Sequence, residues 1–136
     1  MGSIKGLAHI GILTTDAEQS KNFYTENLGF RFDFETILHK PDGTSKKLVF
    51  VKLNNLLVEF IEPSDKSLVN KTHGIIDHIS FEVNDLDQIC DLLKQNGVHF
   101  KSAKPIDLPA IYNGVKIIFF EGPNGETLEL FEHLNN

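Results

Sequence analysis

Hydrophobic and polar positions along this chain follow two rhythms, a period of two and a helical period, and the order of those rhythms occurs twice. Ile4–Leu13 is rich in β-branched and apolar residues and reads as a strand. Thr15-Asp16-Ala17-Glu18 has the form of a capping box. The helix it opens is predicted to bury Ser20, Phe23, Tyr24 and Leu28 and to end at Gly29. Phe30–Leu38 alternates Phe30, Phe32 and Phe34 against Arg31, Asp33 and Glu35, as a half-buried strand does. Pro41-Asp42-Gly43 is a turn, and Lys47–Leu53 and Leu56–Glu62 form a strand pair around Asn54-Asn55. A polar stretch runs from Pro63 to Gly74.

The same order then returns. Ile75–Val83 reads as a strand, and Asn84-Asp85 caps a helix that buries Leu86, Ile89, Cys90 and Leu93 and stops at Asn96-Gly97. Val98–Lys104 reads as a strand, Pro105–Gly114 as a loop, and Val115–Glu121 with Glu126–Glu132 as a final pair around Gly122-Pro123-Asn124-Gly125. Each half is β-α-β-β-β, so the predicted class is α+β: one domain, 1–136, made of modules 1–64 and 75–136 joined by a linker at 65–74. Spacing supports duplication: Asp16 recurs as Asp85, and Gly29 and Phe32 recur as Gly97 and Phe100 at an interval shorter by a single position. Each half alone leaves one face of a four-stranded sheet uncovered, so the halves are expected to pack together or against another chain.

The repeat also carries chemistry. His9 recurs as His78 at the interval that separates Asp16 from Asp85, and Glu59 recurs as Glu129 a single position further on. Side chains alternate along a strand, so Ala8, Ile10 and Ile12 share the face that packs under the helix while His9, Gly11 and Leu13 share the other. Likewise His78, Ser80 and Glu82 lie opposite Ile79, Phe81 and Val83. Glu59 shares a face with Leu57 and Ile61, and Glu129 with Thr127 and Phe131; Glu62 and Glu132 fall on the reverse face and read as outer residues rather than ligands. A carboxylate among apolar neighbours is costly without a partner, and a divalent cation satisfies two carboxylates and two imidazoles together. His39, His73, His99 and His133 lie near turns or strand ends and are expected to be exposed. Tyr112 and Asn113, in the loop before the seventh strand, are exposed or reach a substrate.

Composition narrows the classes. A net charge of −6 with a single arginine, Arg31, argues against a nucleic-acid surface. The apolar runs are strand-length, which argues against a membrane span, and no secretory signal is visible. Cys90 is the one cysteine and sits at helical spacing with Leu86, Ile89 and Leu93, as a buried core thiol does; a reducing cytoplasm fits.

The chain resembles the vicinal oxygen chelate superfamily, which includes glyoxalase I, methylmalonyl-CoA epimerase, extradiol dioxygenases and antibiotic-resistance proteins. The resemblance is carried by His9-Ile10-Gly11-Ile12, by Phe23-Tyr24-Thr25-Glu26-Asn27-Leu28-Gly29-Phe30, by Val58-Glu59-Phe60-Ile61-Glu62-Pro63, by Asp77-His78-Ile79-Ser80-Phe81-Glu82-Val83, and by Gly122-Pro123-Asn124-Gly125-Glu126-Thr127-Leu128-Glu129-Leu130. It implies paired βαβββ modules whose mixed sheets curl around a metal-binding cleft. It also implies a homodimer, with the site built within one chain or across two. The metal ligands it implies are His9, Glu59, His78 and Glu129. The short chain is closest in pattern to bacterial glyoxalase I (lactoylglutathione lyase), which favours nickel or cobalt, with zinc as the alternative. Six-coordinate nickel or cobalt would leave two neighbouring positions open, whereas four protein ligands would close a tetrahedral zinc site.

The reaction so implied is a lyase/isomerase step on a small molecule. A 2-oxoaldehyde–thiol hemithioacetal becomes a 2-hydroxyacyl thioester through an enediolate, with Glu129 as base and Glu59 as the second candidate. Glyoxalase I holds glutathione carboxylates with basic residues, and no arginine follows the first ligand here; Arg31 opens the second strand. Two alternatives stand beside it. One is an acyl-CoA epimerase, whose extra carboxylate would fall about one residue from Asp42; the other is a small-molecule (antibiotic) binding protein without catalysis. A dioxygenase would need a two-histidine, one-carboxylate iron site.

Overall fold

In the computed structural model the chain divides into two compact units, Met1–Asn70 and Lys71–Asn136. The structure describes residues 2, 5, 7–69 and 76–135. Ile4 and Gly6 of the first predicted strand, Ile75 of the fifth, His73 and positions 70–74 of the predicted linker lie outside the described residues. The first unit contains β1 (Ile10–Leu13), α1 (Ala17–Asn27), β2 (Arg31–His39), β3 (Ser45–Leu53) and β4 (Leu56–Pro63), followed by a 3-10 turn at Lys66–Leu68. The second contains β5 (Ile79–Glu82), α2 (Leu86–Gln95), β6 (Ile106–Leu108), β7 (Val115–Glu121) and β8 (Thr127–His133). The α+β class and the duplicated βαβββ order expected from the patterning are both present.

Each unit is a four-stranded mixed sheet, ordered β1-β4-β3-β2 and β5-β8-β7-β6. The first and last strands of each unit pair in parallel, and the remaining neighbours are antiparallel. One face of each sheet carries the helix. In the first unit Val49, Val51, Val58 and Phe60 are fully buried with Ala17 and Tyr24 of α1. Tyr24 stacks edge-on against Phe30 and Phe60, with centroids 5.2 and 4.9 Å away. In the second unit Ile118, Phe120, Leu128 and Leu130 are buried together with Leu86, Cys90 and Leu93 of α2. Burial pushes the Cys90 thiol up, as expected for a core cysteine. Among the described residues no helix is long and apolar enough to cross a membrane.

The helix starts differ from the predicted capping box. Asp16, not Thr15, caps α1 by accepting the Gln19 N–H at 3.0 Å, while Glu18 turns outward to Lys21. The reciprocal acid comes from a distant strand: Glu62 at the end of β4 accepts the Ala17 N–H at 2.8 Å. The second unit repeats the device. Asp85 accepts the Gln88 N–H, and the two oxygens of Glu132 take the N–H groups of Asp85 and Leu86, each at 3.1 Å. A carboxylate there satisfies otherwise unpartnered donors and meets the positive end of the helix dipole. Glu62 and Glu132 thus lie on the reverse face as expected, but as helix anchors.

Among the described residues the first and fifth predicted strands are strand only at Ile10–Leu13 and Ile79–Glu82, and two further strand predictions need correction. The ladder slips between Phe32 and Phe34, so that Phe32 faces Val51 while Phe34 faces Phe50. This bulge at Asp33 breaks the expected alternation: Phe32 stays on the helix side, beneath the Lys21 ammonium, while Phe34 crosses to the opposite face. In the second unit the predicted strand Val98–Lys104 contracts to a single bridge, Phe100 to Phe120. The chain then bends away, and pairing resumes at β6, inside the predicted loop, where Ile106 faces Ile117. Pro105, with no N–H to donate, precedes the resumed strand.

The anchoring glutamates are testable. Burial by itself would push the Glu62 carboxyl up; the Ala17 N–H and the Lys66 ammonium outweigh it and hold the group below its ordinary 4.5. A lowered folded-state value contributes stability that is fully present above pH 4.5 and is lost as pH falls through the lowered value. Glu62→Gln should therefore cost about 1 kcal/mol near neutral pH, measured by urea unfolding, and Glu132→Gln a similar amount. The gap between Glu62→Gln and wild type should narrow as pH falls below 4.5; a gap unchanged by acidification would mean the charge is not what anchors α1.

Candidate functional site

The parallel ladders decide which side chains stand together. Gly11 of β1 is opposite Glu59 of β4, and Ser80 of β5 is opposite Glu129 of β8. His9 and His78 stand immediately before β1 and β5, two residues ahead of Gly11 and Ser80, and reach the face of the two glutamates. The distances agree: His9 Nε2 is 3.3 Å from Glu59 Oε1, and His78 Nε2 is 3.5 Å from Glu129 Oε1. Each unit therefore brings together one predicted histidine and one predicted glutamate, on the sheet face opposite its helix. Among the described residues, no third His, Cys, Asp or Glu completes a metal-holding group within a unit.

A third residue type belongs to each pair, and the sequence patterning alone had not singled it out. Phe50 is opposite Glu59 and Phe119 is opposite Glu129 in the antiparallel ladders. The His9 and Phe50 rings meet edge-to-face at 5.6 Å and 90°, and the His78 and Phe119 rings at 5.6 Å and 87°. Phe50 recurs as Phe119 at the same interval as His9 and His78, and that periodicity was the signal available to find them. Each ring packs one side of its imidazole and helps set its plane.

The carboxylates are the enclosed members of each pair. Glu129 and Glu59 side chains are 8% and 13% exposed, against 34% and 41% for His78 and His9. Among the described residues neither glutamate is bonded to a backbone N–H, unlike Glu62 and Glu132. At Gly11 a side chain would crowd Ile61 Cδ1 at 3.3 Å and Glu59 Oε1 at 3.5 Å, so glycine leaves the Glu59 carboxylate unobstructed. One asymmetry separates the pairs. Asp77 Oδ2 lies 2.8 Å from His78 Nδ1, and the matching position before His9 is Ala8. A carboxylate at Nδ1 holds the proton there and leaves the Nε2 lone pair toward Glu129.

The donor set suits a metal ion. Two ligands on neighbouring positions of one ion, with bonds of about 2.1 Å, stand about 3.0 Å apart at a right angle and about 3.4 Å apart at a tetrahedral angle. The separation of 3.3 Å falls in that range and that of 3.5 Å lies just beyond it. Imidazole nitrogen with carboxylate oxygen is a set taken by zinc, nickel, cobalt and manganese alike.

The other candidates fall elsewhere. His39 and His99 are exposed as expected, whereas His133 is half-buried, with Phe131 5.2 Å and Tyr112 5.5 Å from its ring. Tyr112 and Asn113 occupy left-handed backbone in a turn, and Asn113 gives its carbonyl to the Asn135 amide. Asp42, the carboxylate considered for an epimerase, closes the β2–β3 turn. Its Oδ1 accepts both the N–H and the hydroxyl of Thr44, and these bonds lower its pKa. An exposed carboxylate so committed is a weak base, which argues against that alternative.

Known proteins share this arrangement of strands and helices. The chain is 30% identical over 132 residues to the uncharacterized protein YwkD of Bacillus subtilis, covering 95% of this chain and 98% of that one. Its fold matches the glyoxalase family protein from Enterococcus faecalis with a TM-score of 0.74 at 24% identity, over 94% of this chain and 98% of that chain. It also matches the fosfomycin resistance protein FosX from Listeria monocytogenes, in a crystal structure with Mn(II) and sulfate. There the TM-score is 0.69 at 19% identity, over 96% of this chain and 94% of that chain. The family model of the Glyoxalase/Bleomycin resistance protein/Dioxygenase superfamily matches residues 6–130, and the chain is a member of that superfamily.

Proposed function

We propose that this protein is a metal-dependent lyase/isomerase of glyoxalase I type. The observation that carries the reading is the duplicated His–Glu–Phe cluster: His9, Glu59 and Phe50 in one module and His78, Glu129 and Phe119 in the other, with matching separations and ring geometry. Neither pair holds an ion securely alone, and two pairs together give two nitrogens and two oxygens. In this reading His9, Glu59, His78 and Glu129 hold one divalent ion, nickel or cobalt by preference and zinc as the alternative. The modules come from one chain or from two chains of a homodimer. The manganese in FosX supports a divalent ion in this fold.

The ion, when bound, supplies positive charge that polarises a carbonyl and stabilises negative charge developing on neighbouring oxygens. The residues supply the rest. His9 and His78 donate Nε2 lone pairs, and Asp77 keeps the His78 proton on Nδ1. Glu129, the more enclosed of the two acids and without a backbone anchor, is the base. It takes the proton from the carbon bearing oxygen and thiol sulfur and returns it to the adjacent carbon, while the hydroxyl proton of the first carbon passes to the oxygen of the second. The net change is a hemithioacetal of a 2-oxoaldehyde converted to a 2-hydroxyacyl thioester, with no atom gained or lost. Phe50 and Phe119 give the reacting face low polarity, which strengthens the charge interactions on it.

Two measurements test this. Elemental analysis of the purified protein should find stoichiometric divalent metal, reduced in each of His9→Ala, Glu59→Ala, His78→Ala and Glu129→Ala. Metal retained undiminished in all four would remove the quartet. After reconstitution with nickel, cobalt or zinc, methylglyoxal with glutathione or another thiol should give thioester detected by its ultraviolet absorbance. Glu129→Gln should lower kcat by about 100-fold or more without lowering the melting temperature. No turnover with any thiol under any of these metals would overturn the assigned reaction.

A further inference from the structure

We infer that Arg31 and Lys52 form a subsite for an anionic group of the substrate. The inference rests on the preceding reading of the His–Glu face and concerns the region beside it. The register places Arg31 of β2 directly opposite Lys52 of β3, and Lys52 opposite Leu57 of β4. Leu57 is two residues before Glu59, as His9 is two before Gly11, the partner of Glu59. Leu57, Lys52 and Arg31 therefore form one row across the sheet, on the face that carries the His–Glu pair, with His9 just ahead of β1 at its end. The Asp33 bulge is confined to the next step of the ladder and leaves Arg31 on this face.

Three observations point to a ligand. First, like charges directly opposite on neighbouring strands repel, and among the described residues neither Arg31 nor Lys52 has an acidic partner in an ion pair; Lys40, Lys46, Lys94, Lys101 and Lys104 also lack one, but only Arg31 and Lys52 stand opposite each other in a ladder. Second, the duplication shows what a self-contained module puts there. Arg31 stands two positions after Gly29, as His99 stands after Gly97, and Lys52 stands two positions after Phe50, as Glu121 stands after Phe119. His99 and Glu121 are joined by a backbone bond from the Glu121 N–H to the His99 carbonyl, and their side chains are 4.0 Å apart. The second module thus holds a histidine and a carboxylate where the first holds two cations. Third, the placement suits a substrate. Neighbouring strands are about 4.8 Å apart, so the Lys52 backbone is about 10 Å from His9, with a long side chain to bridge the gap. An oxygen pair at the His–Glu face and a carboxylate or phosphate several bonds away would be held at once, the guanidinium offering a two-pronged grip on either anion.

The probes are three 2-hydroxy acids that share the oxygen pair: glycerate with no distal anion, 2-hydroxyglutarate with a distal carboxylate, and 3-phosphoglycerate with a phosphate. Calorimetric titration of the metal-loaded protein should show at least one of the latter two binding about tenfold tighter than glycerate. The larger gain identifies the anion. The double variant Arg31→Gln/Lys52→Gln should lose that advantage while keeping metal content and glycerate affinity. Its melting temperature should be no lower than wild type, because it removes a repulsion. An advantage that survives in the double variant, or is absent in wild type, overturns the subsite. Should the protein bind no metal, the quartet fails, and inorganic phosphate added to the metal-free protein decides the subsite separately. Shifts of the Arg31 and Lys52 amide resonances that vanish in the double variant support it, and their absence overturns it.

Discussion

In each module a parallel ladder joins the first strand to the last, and every functional placement hangs on its register. Gly11 against Glu59 and Ser80 against Glu129 set an imidazole beside a carboxylate on one face. Three residues further along the same strands, Glu62 and Glu132 fall on the other face, because an odd step along a strand reverses the side chain. There they meet the first N–H groups of α1 and α2. The chain leaves β1 and β5 through bonds to the same last strands, from the Thr14 N–H to the Ile61 carbonyl and from the Val83 N–H to the Phe131 carbonyl. One ladder thus fixes where the helix begins and where the candidate ligands stand. A slip of one residue would exchange the two acids of each strand and place the anchor on the ligand face.

The two modules keep what this geometry needs and differ where chemistry can be asymmetric. The His, Glu and Phe of each cluster match in kind, spacing and ring angle. Asp77 orients only one of the two histidines. The outer strand is long and bulged in the first module but short and interrupted in the second. The row beside the cluster carries two cations in the first module and a histidine with a carboxylate in the second. The two clusters match while their surroundings differ.

Much of this was legible along the chain. The duplication, the α+β order and the face shared by each histidine and glutamate follow from local period and from spacing, and the described strands respect them. The predicted capping box failed for a definite reason. Thr15 and Glu18 have the right residue types at the right interval, but Glu62, distant in sequence, reaches the same helix end and takes the Ala17 N–H. The second strand of the second module departs from its predicted place because Phe100 still bridges to Phe120 while the chain on either side of Pro105 leaves and rejoins the ladder.

The sequence by itself determined the repeat, the class of fold and the pairing of one imidazole with one carboxylate in each copy, since these depend on side-chain alternation and a constant interval. The tertiary structure decided the rest. It moved Phe34 to the His–Glu face through a bulge, assigned Glu62 and Glu132 to the helices, brought Phe50 and Phe119 against the imidazoles and set Arg31 against Lys52. Each of these is a register between strands or a reach between elements far apart in the chain. A local period says which face a side chain takes, while only the ladder says which partner waits there.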